Sequence, residues 1–176
     1  GFNALGFPKE YGGTGKDKVA QTIVTEEIAK KCAATASIYS IHQGAAWMIH
    51  LHGTPEQKEK YLRPLITGGQ VGAFALTEPD AGSDAGNVQT RGVTESDNSE
   101  SKVPARGITA QEDSDHYILN GSKRFISGGS KASIYTVLAM TAPEKKVKGM
   151  TAFIVERDTP GFSIGKIEKK MGISAS

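Results

Sequence analysis

Residues 74–86 read FALTEPDAGSDAG. An apolar, strand-favouring start gives way within a few residues to proline, glycine, hydroxyl and carboxylate groups. A strand that runs into Thr77 presents a hydroxyl and backbone groups able to bond a polar ring edge. Pro79 then halts the ladder, while Gly82 and Gly86 permit close approach. Donors from Ser83 and the amides beside it can meet a pyrophosphate or another acceptor, as turn-formed anion nests do. The stretch therefore reads as a strand end shaped around a ligand. The bland alternative is an ordinary acidic, glycine-containing turn. Neither a GxGxxG nor a GxxxxGK[ST] pattern occurs, so a doubly wound dinucleotide site is not indicated.

On the N-terminal side of this stretch, up to about residue 67, the periodicity is helical. Val19, Ile23, Val24 and Ile28 share one predicted helix face, and Ile38, Ile41, Ala45, Met48 and Ile49 step by three and four along a second. The two helices are expected to pack together. A third begins where Thr54 can cap, Pro55 suits the first position and Gln57 completes a capping box. Gly68 and Gly69 stop it. From Val71 onward come short β-rich runs: VGAFAL, HYILNG, KRFIS, IYTVLAM, MTAFIVE and FSIGKIE. These predict an antiparallel barrel or sandwich. Asn120-Gly121 predicts a two-residue turn joining HYIL to KRFIS in a hairpin. Between the strand groups, residues 94–115 lack apolar periodicity and read as a mobile surface loop. The fold class is thus α+β, with residues 1–69 helical and residues 70–176 forming a β domain.

Composition limits the partners. Hydrophobic residues make up 38% and charged residues 23%, a balance that supports a packed core. A net charge of +2 is spread along the chain without a basic block, so nucleic acid is not an expected partner. No apolar run approaches the roughly 18 to 20 residues that span a bilayer, and no charged segment with an apolar h-region opens the chain. Cys32 has no second cysteine to pair with and reads as a small buried hydrophobe in a reducing compartment.

The chain resembles a known family at several places in the right order. AFALTEPDAGSDA (residues 73–85) resembles the signature of the flavin-dependent acyl-CoA dehydrogenases. FPKEYGGTG at Phe7 to Gly15 is similar to that family's early loop, HYILNGSKRFISGG to its central hairpin, and GMTAFIVERDTPGFSIGKIEKKMGISAS to the end of its β domain. The resemblance implies an N-terminal helical domain and a middle β domain, with a C-terminal helical bundle beyond Ser176. It also implies FAD as cofactor, a short or branched acyl-CoA as substrate, an electron-transfer flavoprotein as acceptor and a homotetramer or homodimer. The compartment would be the mitochondrial matrix or the bacterial cytoplasm.

Roles follow residue by residue. Phe74, Leu76 and Thr77 match the strand end that holds the flavin's pyrimidine edge, and Gly82 lies in the adjoining cofactor-binding turn. Ser83 matches a residue serving flavin phosphate or the CoA arm. Phe125 stands where most members carry tryptophan against the isoalloxazine, and Ser127 where threonine is usual. Both keep the chemistry, an aromatic face and a hydroxyl; plain core packing on a strand is the alternative for Phe125. The reaction implied removes an α proton with a base while a β hydride passes to flavin. The family's glutamate base lies in the C-terminal bundle, so no catalytic residue is assigned. Glu78 reads as turn-forming, Glu26 and Glu27 as solvated or capping. His50 and His52, two apart, fall on different helix faces and make a poor metal pair, and His42 reads as a satisfied helix histidine. A non-catalytic flavin- or CoA-binding module, an acyl-CoA oxidase and a flavin monooxygenase share the strand motif and stay open.

Overall fold

The computed structural model describes residues 1–94, 104–107 and 117–176. Helix α1 (Lys18–Lys31) starts where Asp17 accepts from the Ala20 amide at 3.0 Å, a side-chain cap for an otherwise orphaned donor. Helix α2 (Ala33–His52) packs against α1, as the apolar spacing predicts. The contact is not the expected one on both sides. Val19 and Ile23 of α1 stay 64% and 54% exposed, and among its residues Gln21 is the one buried. On α2 the buried face carries Tyr39, His42, Gln43, Ala46 and Ile49, and Ile38 and Met48 are half-buried at its flank.

The third helical segment follows its predicted punctuation. Thr54 and Gln57 form the reciprocal capping box at the head of α3 (Pro55–Gln57). A π-turn over Lys58–Leu62 leads into α4 (Arg63–Thr67). Pro64 has no N–H to give the preceding turn, which accounts for the widened winding just before it. Gly68, at φ 88°, ends the segment in the left-handed conformation that glycine adopts at no steric cost.

The β half contains β1 (Gly72–Ala75), β2 (Arg91–Thr94), β3 (Pro104–Gly107), β4 (Tyr117–Asn120), β5 (Ile134–Met140) and β6 (Met150–Glu156). Their order is β1-β5-β2-β4-β3-β6, and β6 also pairs along the whole of β5. The sheet is mixed, because β1 and β2 both run parallel to β5 while the other pairs are antiparallel. That corrects the wholly antiparallel expectation. All seven residues of β5 are buried, which is the pattern of a strand covered on both faces.

Three local expectations also change. The HYIL–KRFIS hairpin does not form: β4 spends one edge on β2 and the other on β3, so no edge is left for residues 122–127. Neither Asn120 nor Gly121 has the positive φ that a type I′ turn needs. FSIGKIE is not a strand either, since β6 is already flanked by β5 and β3. Part of the predicted loop, Pro104–Gly107, is a strand between β4 and β6; the rest of that loop after Thr94 lies outside the described residues.

Two apolar clusters hold these layers together. One gathers Ala73, Leu119, Tyr135, Val137, Phe153 and Val155 on one side of the sheet. The other joins Phe7, Ile49, Leu62, Leu65 and Ile66 of the helical half to Ile134 of β5 and Ile154 of β6. Each such fully buried side chain is worth about 2 kcal/mol of transfer free energy. His42 braces the seam: its Nδ1 accepts from the Gly72 amide at 2.9 Å, and its Nε2 donates to the Leu65 carbonyl at 3.2 Å. Burial holds its pKa below the ordinary value, so the ring stays neutral and satisfied, as expected for a structural helix histidine.

Candidate functional site

The quoted stretch lies where β1 runs out. The ladder ends at Ala75, so Leu76 and Thr77 project past it, half-buried. The Thr77 carbonyl accepts from the Arg124 amide at 2.8 Å. That bond brings the segment after β4 against the strand end at Arg124, and Phe125 and Ser127 follow directly in the chain. Among the described residues, nothing accepts from the Thr77 N–H.

Phe125 is not core. It is 72% exposed and holds φ at 56°, the left-handed region that costs a residue with a Cβ on the order of 1 to 2 kcal/mol. An aromatic ring held out to solvent in a strained conformation is a feature that functional sites show and packing does not require. Ser127 is half-buried, with its Oγ 3.1 Å from the Ser176 hydroxyl.

The turn beyond Thr77 divides into protein-facing and open parts. Glu78 and Ala81 bridge, and Asp84 accepts from the Gly86 amide at 3.2 Å. A Cβ on Gly86 would lie 2.9 Å from Val147, so that glycine serves the chain's own packing. A Cβ on Gly82 would meet nothing within 4 Å, and Gly82 and Ser83 are both exposed. The close approach expected of both glycines is thus open to a ligand at Gly82 alone.

Glu78 does more than turn the chain. Its carboxylate is 3% exposed and accepts from the Gln89 amide at 2.6 Å, from the Thr90 amide and hydroxyl, and from Lys123 Nζ at 2.6 Å. Burial pushes its pKa up, but the Lys123 ammonium, the Thr90 hydroxyl and the two amides outweigh it, and the net shift is downward. The carboxylate is therefore ionised and fully engaged. Burial lowers the Lys123 pKa, with Glu78 opposing, and the ammonium form is what this carboxylate selects. Lys123 was not legible as a site residue, because its partner lies 45 positions away.

The remaining candidates stand apart. Glu26 and Glu27 sit in exposed pairs with Lys30. His50 packs edge-on against Phe7 and Trp47. Cys32 is exposed at the head of α2 rather than buried, and hydrogen bonds with Thr35 hold its thiol below the ordinary range. No described helix is long and apolar enough to cross a membrane.

Comparison with known proteins places the fold. The acyl-CoA dehydrogenase N-terminal domain model matches residues 1–69, and the acyl-CoA dehydrogenase middle domain model matches residues 73–176. The helical layer, the mixed sheet and the strand-end motif are thus those of a flavoenzyme fold, and the chain belongs to the acyl-CoA dehydrogenase family. An acryloyl-CoA reductase (NADH) from Anaerotignum propionicum is 49% identical over all of this chain and 41% of its own length. The butyryl-CoA dehydrogenase of Megasphaera elsdenii superposes with a TM-score of 0.84 at 42% identity, covering 99% of this chain and 42% of that one. A solved chain described with the electron transferring flavoprotein of Acidaminococcus fermentans gives a TM-score of 0.84 at 43% identity, covering 99% and 42%. The chain thus spans about two fifths of the length of the curated relatives it matches.

Proposed function

We propose that this chain supplies the flavin-contacting strand end and part of the helical wall of an FAD-dependent enzyme that interconverts a short acyl-CoA thioester and its α,β-unsaturated form. The observation that carries the reading is the end of β1: a Thr77 N–H with no acceptor among the described residues, and an exposed, strained Phe125 next to the Arg124 whose amide bonds the Thr77 carbonyl. This set fits a flat, polar-edged ring system. Thr77 donates to the ring edge, Phe125 covers a face, Ser127 offers a hydroxyl, and exposed Gly82 and Ser83 leave room for the phosphates or the CoA arm. Phe74 and Leu76 shape the strand end beneath. FAD bound there would supply the hydride acceptor.

What the residues of this chain do is hold and shield. Donors fixed before a ligand arrives need no reorganisation when charge builds on the ring edge. Glu78 is not the proton-abstracting base, because every side of its carboxylate is already occupied. Electrons would leave to an electron-transfer flavoprotein, a partner class supported by the resemblance to the Acidaminococcus fermentans chain. The 49%-identical relative is named for the reductive direction, so the same site is also read as working in reverse.

The test is an FAD titration of the chain and of a form extended to the full length of its relatives. Anaerobic butyryl-CoA and isobutyryl-CoA are then added while flavin bleaching is recorded, and acryloyl-CoA with NADH is assayed in the other direction. Bleaching by a saturated acyl-CoA supports the dehydrogenase reading, and NADH-dependent loss of acryloyl-CoA supports the reductase. FAD binding with neither response would move the oxidase, monooxygenase or binding-module readings forward.

A further inference from the structure

Lys123 lies in the segment after β4, and its side chain is 11% exposed. Its Nζ is 3.1 Å from the Leu76 carbonyl and 2.6 Å from Glu78 Oε1. Buried ion pairs of this kind contribute little net stability compared with apolar residues of the same shape, because both ions give up water. The pair's placement is more informative than its energy.

The Leu76 carbonyl and the Thr77 N–H are the two ends of one peptide group. A cation seated on the carbonyl oxygen draws electron density along the amide and makes the N–H a stronger donor. That N–H has no acceptor among the described residues and lies just past the last ladder pair of β1. The carbonyl of Thr77, on the next peptide, accepts from the Arg124 amide at 2.8 Å, so the chain is held on both sides of Thr77, by Lys123 at the Leu76 carbonyl and by Arg124 at the Thr77 carbonyl. Glu78 keeps the ammonium in place, being itself bound by the Gln89 amide and the Thr90 amide and hydroxyl. Its negative charge also cancels the lysine's field at a distance, so the cation acts locally, through the carbonyl it touches.

We infer that Lys123, seated on Glu78, is a positioning residue that polarises the Leu76–Thr77 peptide and so sets how strongly Thr77 N–H grips the ring edge of the bound cofactor. The inference rests on the flavin reading above. A flavin ring edge gains electron density on reduction, so a strengthened donor favours the reduced form and raises the midpoint potential. The chemistry requires no titration and no movement of Lys123.

The experiment compares wild type with the double variant Glu78→Gln/Lys123→Met, which removes both charges and leaves no buried ion unpaired. Two readouts are taken: the amide proton chemical shift of Thr77 without cofactor, and the FAD midpoint potential and affinity in the extended, loaded protein. The expected result is an upfield Thr77 amide proton, a more negative potential and about tenfold weaker FAD binding, the size of one charge-assisted hydrogen bond. Should the double variant fail to fold, Glu78→Gln/Lys123→Gln, which keeps a polar amide at both positions and strands no charge, takes the same two readouts. A folded variant with an unchanged Thr77 shift and an unchanged potential overturns the inference. If wild type binds no FAD, the flavin reading fails instead, while the Thr77 shift still decides whether Lys123 polarises the peptide.

Discussion

Glu78 ties acid stability to the strand end. Its folded pKa is depressed below the ordinary carboxylate value of 4.5, so its contribution is fully present above that value and is lost as pH falls through the lower folded pKa. Melting temperature should therefore drop below about pH 4.5, and Glu78→Gln should flatten that limb. Glu156 is shifted the same way by Lys60, but its side chain is 40% exposed and screened, so Glu156→Gln should flatten it much less. Equal flattening by the two variants would argue against the buried network as the source. Removing Lys123 alone, as Lys123→Met, strands a buried carboxylate and should cost about 3 kcal/mol in urea unfolding, far more than the double variant. Phe125 makes the opposite case. Its ring is 72% exposed and its φ is 56°, so Phe125→Gly gives up little packing and releases strain. Without cofactor its stability should be unchanged or higher by up to about 1 kcal/mol, while FAD affinity falls. A clear loss of stability would mean that the ring packs in solution.

At the scale of the elements, the sequence was most legible where the signal is local. The Thr54–Gln57 capping box and the Gly68 stop are written in a few neighbouring residues, and both formed. The β1, β4, β5 and β6 runs were equally clear. Pairing was not, because a strand's partner is a nonlocal choice: the parallel contact of β1 with β5 joins residues some sixty positions apart, and β2 (Arg91–Thr94) is too short and polar to announce itself. The Asn120-Gly121 dipeptide misled for a specific reason. Gly121 is required by close approach, since a Cβ there would lie 2.3 Å from Thr90 Oγ1, and not by a positive φ. Gly121→Ala should thus cost about 2 kcal/mol or more through overpacking, and Asn120→Ala, at an exposed strand position, well under 1. A true type I′ turn would reverse the emphasis, with Asn120 carrying a measurable share. Among the candidate site residues, Thr77, Gly82 and Ser83 were proposed from their own chemistry and Phe125 from resemblance; Lys123 needed the fold to bring it to Glu78.

For the molecule as a whole, the question is whether the helical and β halves are independent. The family models divide the chain at about residues 69 to 73, yet the packing crosses that line. Ile134 and Ile154 point from the sheet into the cluster built by Phe7, Ile49, Leu62 and Leu65, and Thr136 donates to the Ala45 carbonyl of α2 at 3.3 Å. Gly72 carries no Cβ where Ala45 and Leu65 stand 3.2 Å from the place one would occupy, so β1 and α2 approach at backbone distance. A shared core of this kind couples the two halves in unfolding. Ile154→Ala, at 4% exposure, should therefore cost about 2 to 5 kcal/mol and lower the helical circular dichroism transition and the tertiary near-ultraviolet transition together. Loss of the sheet's near-ultraviolet signal while the helical transition stays in place would show two separable units. In that case the strand end that carries Thr77 would be positioned by the β half alone, and the helices would act as a wall instead of a brace.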